Sequence, residues 1–183
     1  VLDFWRGEPG SADYGTFRDI WFRASTPEFD RQIRDAFLDI HERAVAGEFK
    51  DAMNSAEGTF ALLILLDQFP RNMFRGTARA FATDPQARAV AKHAVERGFD
   101  RQVDDVYRVF FYLPYEHSES LSDQERGLEL MRATGNERTI EAALDHIEVI
   151  KRFGRFPHRN AAMGRESTSE ELDYLKDGKS WGQ

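Results

Sequence analysis

The chain has 183 residues, of which 41% are hydrophobic, and it carries a formal net charge of −7. This length can bury the core of one domain without cross-links, and the absence of cysteine excludes disulfides, thiolate chemistry and Cys-ligated metal sites. The acidic balance argues against a generic nucleic-acid or anionic-membrane binder. The longest apolar run, Phe60–Leu66, is far shorter than the ~20 residues of a membrane span. We therefore expect a single soluble domain, and the lack of cysteine fits a cytoplasmic location.

Helix start and stop signals recur along the chain. The clearest is Thr26-Pro27-Glu28, which combines an N-cap, a proline at the first helical position and an early acidic residue. The run Phe60–Leu66 is apolar on all sides, which predicts a helix at the centre of the core. Together these signals predict helices over 27–46, 55–68, 85–97, 103–113, 123–134 and 137–153, and a short final helix that ends at Lys176.

The segment 103–113 is the ambiguous one, because 106–112 has the composition of a strand. No second convincing strand accompanies it, and an isolated strand cannot satisfy its own backbone. We therefore predict a buried helix that ends at Pro114, just as Phe69-Pro70 is predicted to end the helix over 55–68. Short connections then favour antiparallel pairs of neighbouring helices in an all-α fold.

Basic residues are concentrated in two loops that each place Arg-Asn just after Phe-Pro. The segments 68–83 and 151–165 hold eight Lys and Arg residues and no acid, whereas the third polar segment, Glu116–Glu119, is acidic. Each loop follows the second helix of a predicted pair, so we expect Phe69–Arg75, Glu116–Ser118 and Arg155–Asn160 to meet at one end of the helix stack.

The basic loops have two interpretations. They form an ion-pair lattice between helices, or they leave a basic pocket for an anionic ligand. For the pocket, Arg71 and Arg159 are the strongest candidates, because a neutral asparagine donor follows each of them. The candidate ligand-binding residues are Arg71, Asn72, Arg75, Arg155, Arg159 and Asn160.

Two charges lie in unfavourable helical positions. Asp67 is at the carboxyl end of an apolar helix, where the helix dipole disfavours an anion. Arg108 is the only charge in 106–113. Because buried charges need partners, we predict that Arg108 is mostly buried and bonded to Asp67 or Glu116, and that Asp67 meets Arg108 or Arg71. Such a pair either specifies the fold or supports a site.

Only His117 and His158 lie in the polar loops, which makes them the candidates for proton transfer. In an enzyme, Glu116 would orient the histidine, and Arg71 and Arg159 would stabilise developing negative charge. No histidine spacing typical of a metal site and no glycine-rich phosphate loop is present, so we expect neither a metal nor a cofactor.

Four long motifs, at Leu65–Asn72, Phe81–Pro85, Tyr112–Glu119 and Arg152–Asn160, resemble the bacterial domain-of-unknown-function family 924. The resemblance extends over nearly the whole chain. It implies an all-helical fold with a tetratricopeptide-like, right-handed superhelix. No catalytic role follows from it, but its motifs concentrate on the same three polar loops.

Three functions are therefore open. The first is a module that binds an anionic small molecule or an acidic or C-terminal peptide group through the Arg-rich loops. The second is an enzyme that uses the same pocket with a His/Glu acid–base pair. The third is a structural protein or homo-oligomer whose polar loops only close the fold. The sequence favours the first, with neither a membrane nor a nucleic acid as partner.

Overall fold

The structure is a computed structural model that describes residues 1–22 and 25–177. These residues contain helices, turns and loops but no β-strand, which confirms the all-α class. None of the helices in these two ranges combines the length and the apolar character needed to cross a bilayer. The α-helices are α1 (Leu2–Arg6), α2 (Pro27–Val45), α3 (Ala56–Leu63), α4 (Phe69–Met73), α5 (Asp84–Arg97), α6 (Asp105–Arg108), α7 (Leu113–Glu116), α8 (Leu121–Arg132), α9 (Glu137–Phe153) and α10 (Ser169–Asp177).

Short 3-10 helices occupy several of the connections. They lie at Asp19–Trp21, Lys50–Asn54, Ala78–Phe81, Phe99–Gln102, Val109–Phe111 and Pro157–Arg159.

Caps begin and end the longer helices, and the predicted cap at Thr26 is present. The Thr26 hydroxyl accepts a hydrogen bond from the Phe29 N–H at 3.2 Å, and Pro27 starts α2. Gly98 and Gly154 follow α5 and α9 in the left-handed conformation, with φ of 69° at both. That conformation is favourable for glycine and ends a helix cleanly. The predicted helices over 27–46, 85–97 and 137–153 are thus confirmed to within a residue or two.

The helix that begins at Ala56 does not end at Pro70, so that prediction was wrong. The chain passes from α3 through one π-helical turn, Ile64–Gln68, and continues as α4. A proline inside a helix lacks an N–H and crowds the carbonyl four residues earlier, which here belongs to Leu66. The π turn inserts one extra residue at this point. The Thr83 hydroxyl then donates to the Leu66 carbonyl at 2.6 Å, in place of the missing backbone donor.

Side chains also satisfy the carbonyls on either side of Leu66. His41 of α2 bonds to the Leu65 carbonyl at 2.9 Å, and Arg71 of α4 donates to the Asp67 carbonyl at 2.6 Å. Three consecutive carbonyls of the turn therefore receive side chains from three different parts of the chain. This arrangement fixes the direction of Asp67, which is fully buried.

The predicted helix over 103–113 is helical but broken into three pieces. It consists of α6, the 3-10 turn Val109–Phe111 and α7. Pro114 lies in the first turn of α7 rather than after the last one, because that position needs no backbone donor. The prediction that Pro114 ends the helix was therefore wrong.

The central element of the core is α3, as its apolar composition predicts. Phe60, Leu63 and Ile64 are inaccessible to solvent. One face of α5 carries only small side chains, Ala87, Ala91 and Ala94, which are all fully buried. This face allows α3 to approach closely. The pair α8 and α9 packs together, and α7 packs against both α5 and α8. This places the end of α7, with Glu116 and His117, between the α3–α5 layer and the α8–α9 pair.

Gly58 of α3 should not tolerate a side chain. A methyl group there would overlap the Ala52 carbonyl group and lie 2.8 Å from the Ala52 Cα. We expect Gly58→Ala to lower the free energy of unfolding by about 1–3 kcal/mol, the usual cost of overpacking, although alanine has the higher helix propensity. Urea unfolding measures this change. Glu125→Ala, at an exposed position of α8, is the control, and equal stability of the two variants would contradict the clash.

Candidate functional site

The three polar loops meet at the first residue of α5, Asp84. Arg71 donates to both carboxylate oxygens of Asp84, at 2.9 and 3.1 Å. Arg159 donates to the backbone carbonyl of His117 at 3.0 Å and lies 3.5 Å from Asp84 Oδ2. The guanidinium of Arg159 also lies between the rings of Phe81 and Phe156, at 4.5 Å from each centroid. The structure thus brings Arg71, His117 and Arg159 together, and all three are buried.

The other predicted ligand-binding residues are spread over two further places. Asn72 donates to Asp30 of α2 at 2.8 Å, and Arg75 pairs with the same carboxylate at 2.9 Å. The remaining two contact the C-terminal part of the chain: Arg155 forms an ion pair with Glu171 at 2.6 Å, and the Asn160 amide donates to Ser167 at 3.0 Å. Each of the six candidates therefore has an intramolecular partner.

Arg108 does not have the predicted partners. Its guanidinium pairs with Asp105, one turn earlier in α6, at 2.7 Å, and its Nε donates to the Asp100 carbonyl at 3.2 Å. The side chain is 23% exposed. Its carboxylate partner lies three residues away on the same short helix, so the prediction of a buried pair with Asp67 or Glu116 was wrong.

Asp67 and His117 form a buried dyad. His117 Nδ1 donates to Asp67 Oδ1 at 2.8 Å, and Arg71 Nη1 lies 3.3 Å from the same oxygen. Burial opposes the ionisation of Asp67, but the Arg71 charge and the hydrogen bonds that His117 and Gln68 donate outweigh it and lower the pKa of this carboxyl. Burial, together with the Arg71 charge, lowers the pKa of His117. The imidazole is therefore neutral near pH 7, with its proton on Nδ1 and its lone pair on Nε2.

Glu116 and His146 form a second buried pair next to this dyad. His146 Nδ1 donates to the Ala142 carbonyl at 2.8 Å and lies 3.2 Å from Glu116 Oε1. Burial, and the negative charges of Asp67 and Asp145, raise the pKa of Glu116 to about 8. Burial lowers the pKa of His146 to about 3. Between these values Glu116 holds a proton and His146 is neutral. The other oxygen, Glu116 Oε2, is buried and has no hydrogen-bond partner in the described part of the chain.

A cleft of about 1020 Å³ opens onto Glu116, His117 and His146. This volume is at the upper end of the range typical of small-molecule sites. Residues from α6, α7, α9 and the α8–α9 connection form its walls, with Phe17 and Phe22 at one side. The polar side chains that line it are Asp105, Glu116, His117, Thr134, Asn136, Arg138, Thr139, Glu141, Asp145 and His146.

The residues at and near the cleft have different partners from those that the sequence predicted. Asp67, and not Glu116, orients His117, while Glu116 contacts His146. His158 packs against Phe156, with ring centroids 5.5 Å apart. Arg71 and Arg159 support His117 from behind, through Asp67 and the His117 carbonyl, and are not among the residues that line the cleft.

Sequence reasoning missed Asp84, His146 and the polar face of α9. The available signal was the spacing of Arg138, Glu141 and Asp145, which puts three charges on one helical face beside a buried histidine. Within residues 1–22 and 25–177, no group of three or more His, Asp or Glu side chains is arranged to hold a metal ion.

A protein-family description, "Bacterial protein of unknown function (DUF924)", matches residues 1–179. A solved structure from Agrobacterium tumefaciens, described as the protein of unknown function ATU0120, is 45% identical in sequence with a TM-score of 0.84. The match covers 87% of this chain and 90% of that one. No curated protein matches the chain.

Proposed function

The chain belongs to the bacterial DUF924 family of unknown function, and from the geometry of its cleft we propose that it is an enzyme that uses His117 and Glu116 for general acid–base catalysis. The observation that carries the proposal is that the Asp67–His117 dyad and the buried Glu116, whose Oε2 has no partner among the described residues, meet at one cleft. His117 is a neutral base held by Asp67, and Glu116 is an acid that keeps its proton near pH 7.

This arrangement fits hydrolysis of a carbonyl compound such as an ester or amide. His117 Nε2 takes a proton from water as the water oxygen attacks the carbonyl carbon, and Asp67 stabilises the imidazolium that forms. The Glu116 carboxyl donates its hydrogen bond to the carbonyl oxygen as negative charge develops there. The imidazolium then gives its proton to the leaving group, which departs with the electron pair of the cleaved bond.

The other two hypotheses have less support. Anion binding by Arg71, Asn72, Arg75, Arg155, Arg159 and Asn160 stays a prediction, and the ion pairs that engage these arginines weigh against it. A purely structural role accounts for those ion pairs, but it does not explain why the buried Glu116 Oε2 has no hydrogen-bond partner among the described residues. The right-handed tetratricopeptide-like superhelix and the cytoplasmic location also stay predictions.

Turnover of a panel of small esters and amides tests the proposal. His117→Gln should lower kcat by about 10²–10⁴-fold, the usual contribution of a positioned acid or base. The pH profile of kcat/KM should be bell-shaped. It should rise as His117 loses its proton, below the ordinary histidine pKa of 6.5, and fall as Glu116 ionises near pH 8.

The matched control is His93→Gln, because His93 bonds to the Met53 carbonyl and lies outside the cleft. This variant should keep full activity. Equal activity of both variants would contradict the assignment of His117. So would a nitrogen NMR spectrum that places the His117 proton on Nε2.

A further inference from the structure

One wall of the cleft is a strip of aliphatic side chains that leads to Glu116. Val106, Val109 and Leu113 line the cleft and precede Glu116 at intervals of three or four residues, along α6, the 3-10 turn and α7. This spacing puts side chains on one side of a helical segment. The two valines are half-buried, and Leu113 is buried. These three side chains, the aliphatic strip, therefore connect the more open part of the cleft with the buried Glu116 carboxyl.

A second wall of the cleft belongs to α9. Ala142 and His146 both line the cleft, one turn apart, and His146 lies 3.2 Å from Glu116 Oε1. The two walls thus meet at Glu116 and His146. One turn before that contact, α9 carries only the methyl group of Ala142, at a half-buried position. Because this side chain is so small, it leaves room for a hydrocarbon chain on the aliphatic strip.

The buried Glu116 carboxyl is the observation that points to a ligand at the end of the strip. Glu116 is only 4% exposed, yet its Oε2 has no hydrogen-bond partner within the described residues. A buried polar atom of this kind is costly unless something bonds to it. Burial raises the pKa of Glu116 to about 8, so the carboxyl holds a proton near pH 7. The partner it lacks is therefore a hydrogen-bond acceptor, such as a carbonyl oxygen.

The buried end of the cleft decides which ligand fits. The buried residues that line the cleft are Leu113, Glu116, His117, Met131 and His146. The charged side chains that line it are exposed or half-buried, and exposed charges contribute little to affinity because water and salt screen them. Apart from its acid–base groups, the buried end is thus aliphatic. A ligand that fills it needs a carbonyl group at Glu116 and a neutral apolar group beside it.

We propose that the substrate of this cleft is an ester or amide of an unbranched aliphatic acid, whose hydrocarbon chain lies on the aliphatic strip and whose carbonyl oxygen accepts a hydrogen bond from Glu116. The proposal rests on the proposed function for the carbonyl end, and adds the chain. Val109 lies seven residues before Glu116, about 10 Å along a helix, and an extended chain of about eight carbon atoms spans that length. The strip therefore suits a chain of medium length.

Methyl ketones test this inference without turnover, because a ketone has the carbonyl oxygen and the chain but no bond that water can cleave. The probes are methyl ethyl, methyl butyl and methyl hexyl ketone, and the keto acid in which a carboxylate replaces the last methyl group of methyl hexyl ketone. In NMR titrations, each added methylene should tighten binding about fourfold, the usual gain from burying one such group. The keto acid should bind at least tenfold more weakly than methyl hexyl ketone, because its charge would be placed on the aliphatic strip.

Two variants show where the chain lies. Ala142→Phe fills the space beside the aliphatic strip, so it should weaken binding of methyl hexyl ketone at least tenfold and leave methyl ethyl ketone within twofold. Leu144→Phe is the matched control, because Leu144 is an exposed residue of α9 outside the cleft, and it should change neither affinity. Val109→Thr keeps the shape of the strip but adds a hydroxyl, so it should weaken binding of methyl hexyl ketone several-fold even if Ala142→Phe does not fold.

The outcomes separate this inference from the proposed function. If affinity does not rise with chain length, if the keto acid binds as tightly as methyl hexyl ketone, or if no ketone binds, the aliphatic substrate is overturned, while the His117 and pH tests still decide the reaction. Binding that depends on chain length and that Ala142→Phe removes, in a protein that hydrolyses nothing in the panel, would uphold the ligand class and overturn the catalytic proposal.

Discussion

Replacing Asp84 with asparagine should lower the free energy of unfolding by about 3–5 kcal/mol, the usual cost of removing one partner from a buried ion pair. Asp84 accepts two hydrogen bonds from Arg71 and lies 3.5 Å from Arg159, and all three side chains are buried. Without its charge, the two guanidinium groups would share a single buried carboxylate, Asp67. Equilibrium unfolding in urea measures the change.

Two further variants sharpen this prediction. Asp173→Asn removes the partner of Lys176 in an exposed pair, so it should cost less than about 1 kcal/mol. Adding Arg159→Met to Asp84→Asn removes the surplus cation and should restore part of the lost stability. If Asp84→Asn is as mild as Asp173→Asn, Asp84 does not hold the three loops together.

Glu116→Gln should stabilise the protein progressively as the pH rises. The pKa of Glu116 is raised from 4.5 to about 8 by burial and by the charges of Asp67 and Asp145. Because the folded state binds this proton more tightly than the unfolded state, the Glu116 contribution to stability is full below pH 4.5 and is lost as the pH rises towards 8. Glutamine never ionises, so the variant avoids this loss.

The stability difference between Glu116→Gln and the wild type should therefore grow by about 1.4 kcal/mol per pH unit at its steepest. Glu119→Gln is a control of opposite sign. The hydrogen bonds from Arg165 and Phe156 outweigh burial and lower the pKa of Glu119. The difference in stability between Glu119→Gln and the wild type should therefore shrink as the pH falls. Urea unfolding at several pH values between 4.5 and 8 gives the Glu116 curve, and measurements below pH 4.5 give the Glu119 curve. A Glu116→Gln difference that stays constant with pH would mean that Glu116 is ionised throughout.

The sequence allowed prediction of the features that short stretches of chain determine. The Thr26 cap and the apolar run 60–66 each act through residues within one or two turns. The effects of Pro70 and Pro114 on their helices could not be predicted in this way. Whether Pro70 ends a helix depends on a donor for the Leu66 carbonyl, and that donor is Thr83, which comes from beyond the next loop.

The same distinction applies to the candidate site: some of its features could be predicted from the sequence and others depend on distant contacts. The fold brings Arg71, His117 and Arg159 together, as the loop pattern predicts. The partners of these residues cannot be predicted from that pattern. An aspartate such as Asp84 is typical of the first turn of a helix, and only the fold places it between two arginines. The prediction for Arg108 was wrong for the opposite reason, because the nearby residue Asp105 is a sufficient partner for its charge.

The π turn at Ile64–Gln68 acts as a phase shift between two halves of one helix. Successive residues of an α-helix are rotated by about 100°, so the loss of a single residue here would turn one half against the other by that angle. The upstream half keeps Phe60 and Leu63 in the core, while the downstream half keeps Arg71 on Asp84. A chain with one residue fewer could keep either the buried packing of Phe60 and Leu63 or the contact of Arg71 with Asp84, but not both. Homologous chains should therefore vary in length in exposed segments, such as 8–13, and keep the number of residues between 56 and 73 unchanged.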